Sequence, residues 1–187
     1  MTTAVAPLTT ADLLALPSDG MERWLIAGEL RERPMNVRNR FHSRVVTRVA
    51  KFLDNWLDDQ PAPRGQVLAG DAGVRLAEEP ETTVGVEVLL VTAEVLAAQT
   101  EEVTIIAGIP TLVVEVLSPN TTIDDLNEKI DAYLMAAVPL VWVIDPHRRT
   151  VTVITPADEP ILFNVRQELT AEPHLPGFRV PVARLFE

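Results

Sequence analysis

The chain has 187 residues, of which 47% are hydrophobic and 23% are charged, a composition typical of a globular protein with one full hydrophobic core. The absence of cysteine excludes disulfides and thiolate metal sites, and no apolar run approaches the roughly 18–20 residues that span a bilayer. The 27 acidic residues outnumber the 16 basic ones and give a net charge of −11. Because such a surface repels phosphate at long range, a nucleic-acid function would require a local basic patch or a metal site.

The N-terminal segment M-T-T-A-V-A-P has neither the basic region nor the apolar core of a signal peptide. Together with the lack of cysteine, this predicts a cytoplasmic protein with no membrane association. The length predicts a single domain over residues 1–187.

The first half of the chain predicts a short helix, a hairpin and a long amphipathic helix. Residues 9–16 have the threonine cap and terminal proline of a short helix. Gly28 separates two strand-like segments, 24–27 and 29–33, which indicates a hairpin. From residue 39 to about residue 59, apolar side chains recur at threes and fours, as on the buried face of a helix. These side chains are Phe41, Val45, Val49, Phe52, Leu53 and Trp56.

The N-terminal part of this long helix carries the densest basic cluster in the sequence. Its members are Arg38, Arg40, Arg44, Arg48 and Lys51. The simpler interpretation is a solvated helix surface. The alternative is a surface that contacts phosphate, formed chiefly by Arg38, Arg40 and Arg44.

The second half predicts a mixed β-sheet flanked by helices. Strand signals between Gln66 and Leu76 are interrupted at Gly70 and Gly73, whereas the β-branched run 83–91 is apolar on both faces, as in a central strand. The other predicted elements are helices over 92–98 and 122–138, strands over 111–117, 140–144, 150–154 and 161–163, and a C-terminal tail that packs over the core. We therefore expect an α/β (α+β) fold in which one helix crosses between adjacent strands.

Two of the predicted central strands each place one glutamate among apolar residues. Glu115 interrupts T-L-V-V-E-V-L, and Glu87 interrupts T-V-G-V-E-V-L-L-V. An ionised carboxylate in apolar surroundings needs a cation, a metal or hydrogen-bond donors. If the strands pair, the period-two alternation allows both carboxylates to meet on one side of the sheet, and two such oxygen donors suit Mg²⁺ or Mn²⁺. The alternative is that each glutamate is solvated near a strand end.

Lys129 follows on the next predicted helix, about 100° from the centre of the apolar stripe formed by residues 123, 126, 130 and 134. This position is on the flank of the buried face, from which an ammonium group can reach the preceding strand and act on a water or a phosphate. Glu29 could supply a third carboxylate, although a hairpin surface charge is the simpler interpretation. His42 could face the same site or be a partly buried histidine, and Asp71 and Asp145 are interpreted as turn residues.

The motifs, taken together, resemble those of the Uma-type restriction-endonuclease family (DUF820-like), which belongs to the PD-(D/E)XK nuclease superfamily. The segments that carry the resemblance are L-I-A-G-E-L, the long helix that His42 opens, V-G-V-E-V-L-L-V, L-V-V-E-V-L-S-P-N, E-K-I-D-A-Y-L, V-P-L-V-W-V-I-D-P and L-P-G-F-R-V-P-V-A-R-L-F. They cover nearly the whole chain.

The resemblance implies a restriction-endonuclease-like mixed sheet, a divalent metal and hydrolysis of DNA phosphodiesters. Glu87 and Glu115 match the family's two acidic positions, Lys129 matches its lysine on the following helix, and Glu29 matches an early glutamate of the site. The chain departs from the family at Glu87, where an aspartate after proline is usual. The additional methylene can move a metal-ligating oxygen by about 1 Å, a misplacement that can cost on the order of 100-fold in rate.

The first hypothesis is a Mg²⁺- or Mn²⁺-dependent DNA endonuclease. Glu87, Glu115 and the carbonyl of Val116 would hold the metal, Lys129 would position the water, and the basic helix would bind the DNA backbone. The rival is a weak or inactive nuclease-fold protein that serves as a binding module, and hydrolysis of another phosphoester is a third possibility. A homodimer is plausible because two sites could address two strands.

Overall fold

The computed structural model describes residues 6–35, 37, 39–100 and 104–187. Arg38, one of the predicted phosphate contacts, lies outside these residues. The helices are α1 (Thr10–Leu14), α2 (Arg40–Asp58), α3 (Ala93–Ala97), α4 (Ile123–Met135) and a 3₁₀ helix (Val182–Phe186). The strands are β1 (Met21–Ile26), β2 (Glu29–Pro34), β3 (Gln66–Glu78), β4 (Glu81–Val91), β5 (Ile106–Ala107), β6 (Leu112–Val116), β7 (Leu140–Asp145), β8 (Thr150–Ile154), β9 (Ile161–Asn164), β10 (Glu168–Thr170) and β11 (Arg179–Pro181).

The predicted mixed sheet is confirmed. Among the described residues it has nine strands, in the order β2-β1-β4-β6-β7-β8-β9, with β3 paired to β4 and β5 paired to β3. Strands β6 and β7 are parallel, and α4 connects them, because a parallel pair requires a crossover. On its other side, β6 pairs with β4 in antiparallel orientation, and this pair lies at the centre of the sheet.

The two faces of the sheet are covered by different elements. On one face, the predicted stripe of α2, including Val45, Val49 and Leu53, packs together with the C-terminal tail. The tail forms the small β10–β11 sheet and the 3₁₀ helix, and its Phe178 ring lies 5.5 Å from that of Trp142. On the other face, Tyr133 of α4 packs with residues of β1, β4, β6 and β7.

The predicted bounds of several elements differ from the structure: α1 ends at Leu14 and β1 begins at Met21, and the differences in β3 and α4 have clear physical reasons. Residues 66–78 form one long strand, β3, rather than short segments, because irregularities in its pairing with β4 allow the ladder to continue past the glycines. Helix α4 ends at Met135, three residues before the predicted end. Ala137 has a positive φ of 58°, and the amide of Val138 donates to the carbonyl of Tyr133, which closes the helix. No helix among the described residues is long and apolar enough to cross a membrane.

Candidate active site

The pairing of β4 with β6 brings the two predicted carboxylates to one place. Val88 pairs with Val114 and Leu89 with Val113, so that continuing this register by one residue sets Glu87 opposite Glu115. The two glutamates are 8% and 7% exposed, and both line one small cavity. The structure therefore places both side chains inside the protein, which excludes the interpretation that they are solvated at strand ends.

A β-bulge in β3 lies directly beside Glu87. The register of β3 on β4 shifts within residues 69–72, opposite the segment from Val86 to Val88. At this point the side chains of β4 also change face, because Val86 packs in one hydrophobic cluster and Val88 in the other. Bulges next to active sites commonly re-aim a side chain in this way. Here the bulge brings Asp71 into the wall of the cavity.

Asp71 is a cavity residue rather than the simple turn residue that the sequence indicates. It has a positive φ of 64° within the bulge. Its Oδ1 lies so close to Gly85 that an added methyl group there would come within 2.6 Å of it, which explains the glycine at this position. Burial raises the pKa of the Asp71 carboxyl; Lys129 opposes that shift, and the neighbouring cavity carboxylates add to it.

Lys129 points into the site from α4. Its Nζ donates to the carbonyl of Gly85 at 2.9 Å and lies 3.3 Å from Oε1 of Glu115. The ammonium also lies 5.7 Å from the ring centroid of Trp24. Only 6% of Lys129 is exposed, so that the lysine is deeper than the flanking position that the helical periodicity predicts. Ile123, predicted to belong to the buried stripe, is 75% exposed instead.

Tyr133, one helical turn after Lys129, binds the same carboxylate oxygen. Its hydroxyl donates to Oε1 of Glu115 at 2.5 Å, and the side chain is fully buried. Burial first, and then the charge of Glu115 and this hydrogen bond, raise the pKa of Tyr133 well above its ordinary value. Tyr133 was not predicted to belong to the site, although it lies four residues after Lys129 and therefore on the same face of the helix.

His42, which the sequence left either facing the site or partly buried, lies beside the other glutamate. It is 2% exposed, and its Nε2 lies 2.9 Å from Oε1 of Glu87. Neither ring nitrogen has a hydrogen-bond partner among the residues that the structure describes.

The hairpin contributes different residues from the predicted one. Glu29 follows the turn at Gly28, is 71% exposed at its side chain and forms an ion pair with Arg31 at 3.0 Å. It does not line the cavity, which is the outcome expected for a hairpin surface charge. Glu22, from β1, lines the cavity instead, together with its cross-strand partner Arg33. Neither residue was identified from the sequence.

Arg33 forms a two-pronged ion pair within the cavity wall. Its Nε and Nη2 donate to Glu22 at 3.0 and 2.8 Å, and Nη1 lies 3.5 Å from Asp125 of α4. Burial lowers the pKa of Arg33, but the pairing with Glu22 and the other nearby carboxylates outweighs it and raises the pKa. The guanidinium therefore remains charged, and among the described residues the cavity wall contains two cations, Arg33 and Lys129.

The predicted basic cluster divides in the structure. Arg40 and Arg44 are exposed at the start of α2, and the Arg40 guanidinium lies 4.6 Å from the centroid of the Phe41 ring. Arg48 donates to the backbone carbonyl of Glu187, so that it holds the C-terminus. Phe41, expected to be buried, is 51% exposed.

The oxygen donors of the cavity fit a hard divalent cation. About 20 Å³ is open to the centre of a water-sized sphere, which is room for one water or small ion. Val116 also lines the cavity; because its side chain packs in the opposite cluster, its backbone borders the space. Within the described part of the chain, no three acidic or histidine side chains already form a metal cage, but Mg²⁺ needs only one or two carboxylates with waters and substrate phosphate.

The comparisons with known proteins agree with this architecture. No curated protein matches the chain. A solved structure, described as a putative nuclease belonging to DUF820 from Anabaena variabilis, has the same fold, with a TM-score of 0.78, 18% sequence identity, and coverage of 96% of this chain and 98% of that one. The family model Uma2, described as "Putative restriction endonuclease", matches residues 10–183. The chain therefore belongs to the Uma2 family of restriction-endonuclease-like proteins.

Proposed function

We propose that the protein is a DNA endonuclease that hydrolyses phosphodiester bonds with the help of Mg²⁺ or Mn²⁺. The observation that carries the proposal is a single cavity in which two buried carboxylates, Glu87 and Glu115, lie on paired central strands with Lys129 beside one of them. Membership of the Uma2 family supports a nuclease function. The cation and the DNA substrate are our inference from the donor chemistry of this cavity.

Glu87, Glu115 and the backbone carbonyl of Val116 would hold the cation. On Glu115, the oxygen Oε1 is already engaged by Lys129 and Tyr133, which leaves Oε2 as the ligand oxygen. When bound, the cation would supply Lewis-acid activation of water and neutralise charge on the phosphate.

Lys129 would position the attacking water or the phosphate. Its ammonium is fixed by the Gly85 carbonyl and by Glu115, so that its third N–H can orient the attacking water or stabilise charge on the phosphate. His42, beside Glu87, would help to hold the first carboxylate. Arg40 and Arg44, which are exposed at the start of α2, would contact the DNA backbone. Arg38, predicted from the sequence to share this role, lies outside the described residues.

The primary test measures metal binding and DNA nicking in parallel. Calorimetric titration with Mg²⁺ or Mn²⁺, with and without DNA, is compared for the wild type, Glu115→Gln and Lys129→Met, and a plasmid-nicking assay follows. We expect saturable binding that Glu115→Gln abolishes, and metal-dependent nicking that both variants lose. Glu29→Gln is the matched control, because it removes a glutamate charge outside the cavity and should leave both readouts unchanged.

Circular dichroism verifies that each variant is folded. Nicking by folded Glu115→Gln at the wild-type rate would rule out this site. Two further expectations from the sequence have separate tests. Analytical ultracentrifugation tests whether the protein is a homodimer, and cell fractionation tests whether it is cytoplasmic.

A second candidate is a nuclease-fold binding protein with little or no catalysis. It is favoured by Glu87 at the position where the family usually has aspartate, and by the lack of a ready-made three-residue cage among the described residues. Under this alternative, DNA binding persists while metal-dependent nicking is absent in the wild type. Glu87→Asp separates the two, because a shorter carboxylate that restores or increases nicking would identify the extra methylene as the cause of weak activity.

A further inference from the structure

Phe41 is a large aromatic side chain held in an exposed position beside the candidate site. It begins the apolar stripe of α2, yet 51% of it remains exposed even with the Arg40 guanidinium 4.6 Å from its ring centroid. Its amide is fixed by the capping side chain of Asn39. The backbone that carries the ring is therefore anchored, while the ring itself is available for contact.

Phe41 lines a groove of about 690 Å³. This groove is lined by the start of α2 and by the segments that follow β6 and β7, including Asn39, Ser118, Pro119, Asp145, Pro146 and His147. The volume lies in the range of small-molecule sites. Leu117 lines both this groove and the carboxylate cavity, so that a ligand in the groove would lie next to the cavity.

A second, basic groove of about 230 Å³ is also lined by Phe41. Arg44 and Arg149 line it, and the Arg149 guanidinium is 5.7 Å from the ring centroid of Phe186. Neither arginine forms an ion pair with any residue that the structure describes, in contrast to Arg31 and Arg33. In a chain with a net charge of −11, a pair of uncompensated cations at one groove favours an anionic ligand.

We propose that an unpaired nucleobase stacks on Phe41 in the larger groove while its phosphate contacts Arg44 and Arg149. The inference rests on the proposed nuclease function and deepens it, because it makes the substrate DNA with a single-stranded or flipped-out nucleotide next to the bond to be cleaved. An exposed ring borders a larger groove of mixed polar and apolar residues, in which the Asp145 carboxylate accepts hydrogen bonds from the amides of His147 and Arg148. The ring also borders a groove lined by two arginines, and the two grooves together match the base and the phosphate of a nucleotide. In a continuous duplex the bases are stacked on each other and cannot reach such a ring.

The test measures binding in metal-free buffer, so that it does not depend on catalysis. A single-stranded oligonucleotide containing 2-aminopurine and a fully paired duplex of the same sequence are titrated with the wild type, Phe41→Ala and Phe41→Trp. Leu162→Ala is the control, because it removes an apolar side chain that is 60% exposed on β9, the edge strand. Circular dichroism confirms that the variants are folded.

We expect the wild type to bind the single strand more tightly than the duplex and to quench 2-aminopurine fluorescence. Phe41→Ala should lose about 5- to 150-fold in affinity for the single strand, the range of one base–aromatic stack, and should lose the quenching. Phe41→Trp and Leu162→Ala should behave like the wild type. Equal affinity of Phe41→Ala and wild type for the single strand, wild-type preference for duplex, or binding of neither DNA overturns the inference.

The proposed function is tested separately, by measuring cleavage of a plasmid and of a bubble-containing duplex in the presence of Mg²⁺. Metal-dependent cleavage that is indifferent to unpaired nucleotides and to Phe41→Ala would retain the nuclease and reject the stacking groove. Loss of stacking in Phe41→Ala without any cleavage by the wild type would reject the nuclease and retain a nucleobase-binding groove.

Discussion

The hydroxyl of Tyr133 donates a 2.5 Å hydrogen bond to Oε1 of Glu115, and Lys129 lies 3.3 Å from the same oxygen. One carboxylate oxygen is thus shared by a neutral donor and a cation, both from one face of α4. Because all three side chains are buried, their mutual positions are maintained by packing as well as by hydrogen bonds. This arrangement gives the candidate metal ligand a fixed orientation.

Tyr133→Phe removes the hydroxyl while keeping the ring in the core. We expect the free energy of unfolding to fall by about 1–3 kcal/mol, as for loss of a buried hydrogen bond to a charged group. Under the proposed function, metal affinity should also fall, because Glu115 would be held by Lys129 alone. Urea unfolding and calorimetric Mg²⁺ titration measure the two effects. An unchanged free energy of unfolding would show that the hydrogen bond contributes nothing to stability.

The same residue predicts a loss of stability at alkaline pH. Tyr133 is the single tyrosine of the chain, and its pKa is raised in the folded state. Above pH 10 the unfolded chain loses this proton while the folded protein keeps it, so that unfolding releases a proton and stability falls as the pH rises. Tyr133→Phe should lack this component. Tyrosinate absorbance tests it directly, and an ordinary titration near pH 10 in the native protein would contradict it.

Asp71 should also make stability fall as the pH rises, in this case in the acidic range. Its pKa is raised from 3.8, so that the unfolded chain releases the proton at lower pH than the folded protein does. The ionised form therefore costs stability, increasingly from pH 3.8 upward until the folded pKa is passed. Asp71→Asn, which tolerates the positive φ, should be more stable than the wild type at pH 7, and the difference should shrink toward pH 4.

The control for Asp71 is Asp54→Asn, at an exposed position of α2. Urea unfolding at several pH values should show no comparable pH-dependent difference for this variant. If Asp71→Asn were less stable than the wild type at pH 7, the carboxylate would be stabilised by its surroundings, and its burial would not be the dominant effect.

Local patterns predicted the sheet, but not all of the site. The alternation in two short runs was sufficient to indicate that Glu87 and Glu115 lie together, because a period of two and strand pairing determine which side chains can meet. Helix periodicity correctly placed Lys129 near the buried face, but it could not show that burial of the ammonium is compensated by Glu115 and the Gly85 carbonyl.

Local sequence patterns did not identify Glu22 and Asp71 as cavity residues, because long-range geometry brings both of them to the cavity. Glu22 reaches the cavity because β1 pairs with β4 through Leu25 and Thr83, a contact that no local pattern encodes. Asp71 reaches it because β3 contains a bulge, whereas G-D in a sequence indicates a turn. The exposure of Phe41 was not predictable in the same way, since its spacing fits the buried stripe of α2 although 51% of it is exposed in the fold.

Lys129→Met tests the cation that the fold itself supplies to the carboxylate pair. The methionine keeps most of the side-chain volume but leaves Glu115 without its ammonium, and truncation of one partner of a buried ion pair costs about 3–5 kcal/mol. We expect this loss in metal-free buffer, measured by urea unfolding. Lys51→Met, the same chemical change at an exposed position of α2, should change the free energy of unfolding by less than about 0.5 kcal/mol.

Added Mg²⁺ should then raise the melting temperature of Lys129→Met more than that of the wild type, because the incoming cation meets a carboxylate site that has lost its internal positive charge. An equal response of the two proteins to Mg²⁺ would mean that the metal does not bind next to Glu115. An equal loss of stability in Lys129→Met and Lys51→Met would mean that the buried ammonium is not what compensates the charge of Glu115, and the compensation would then have to come from Tyr133.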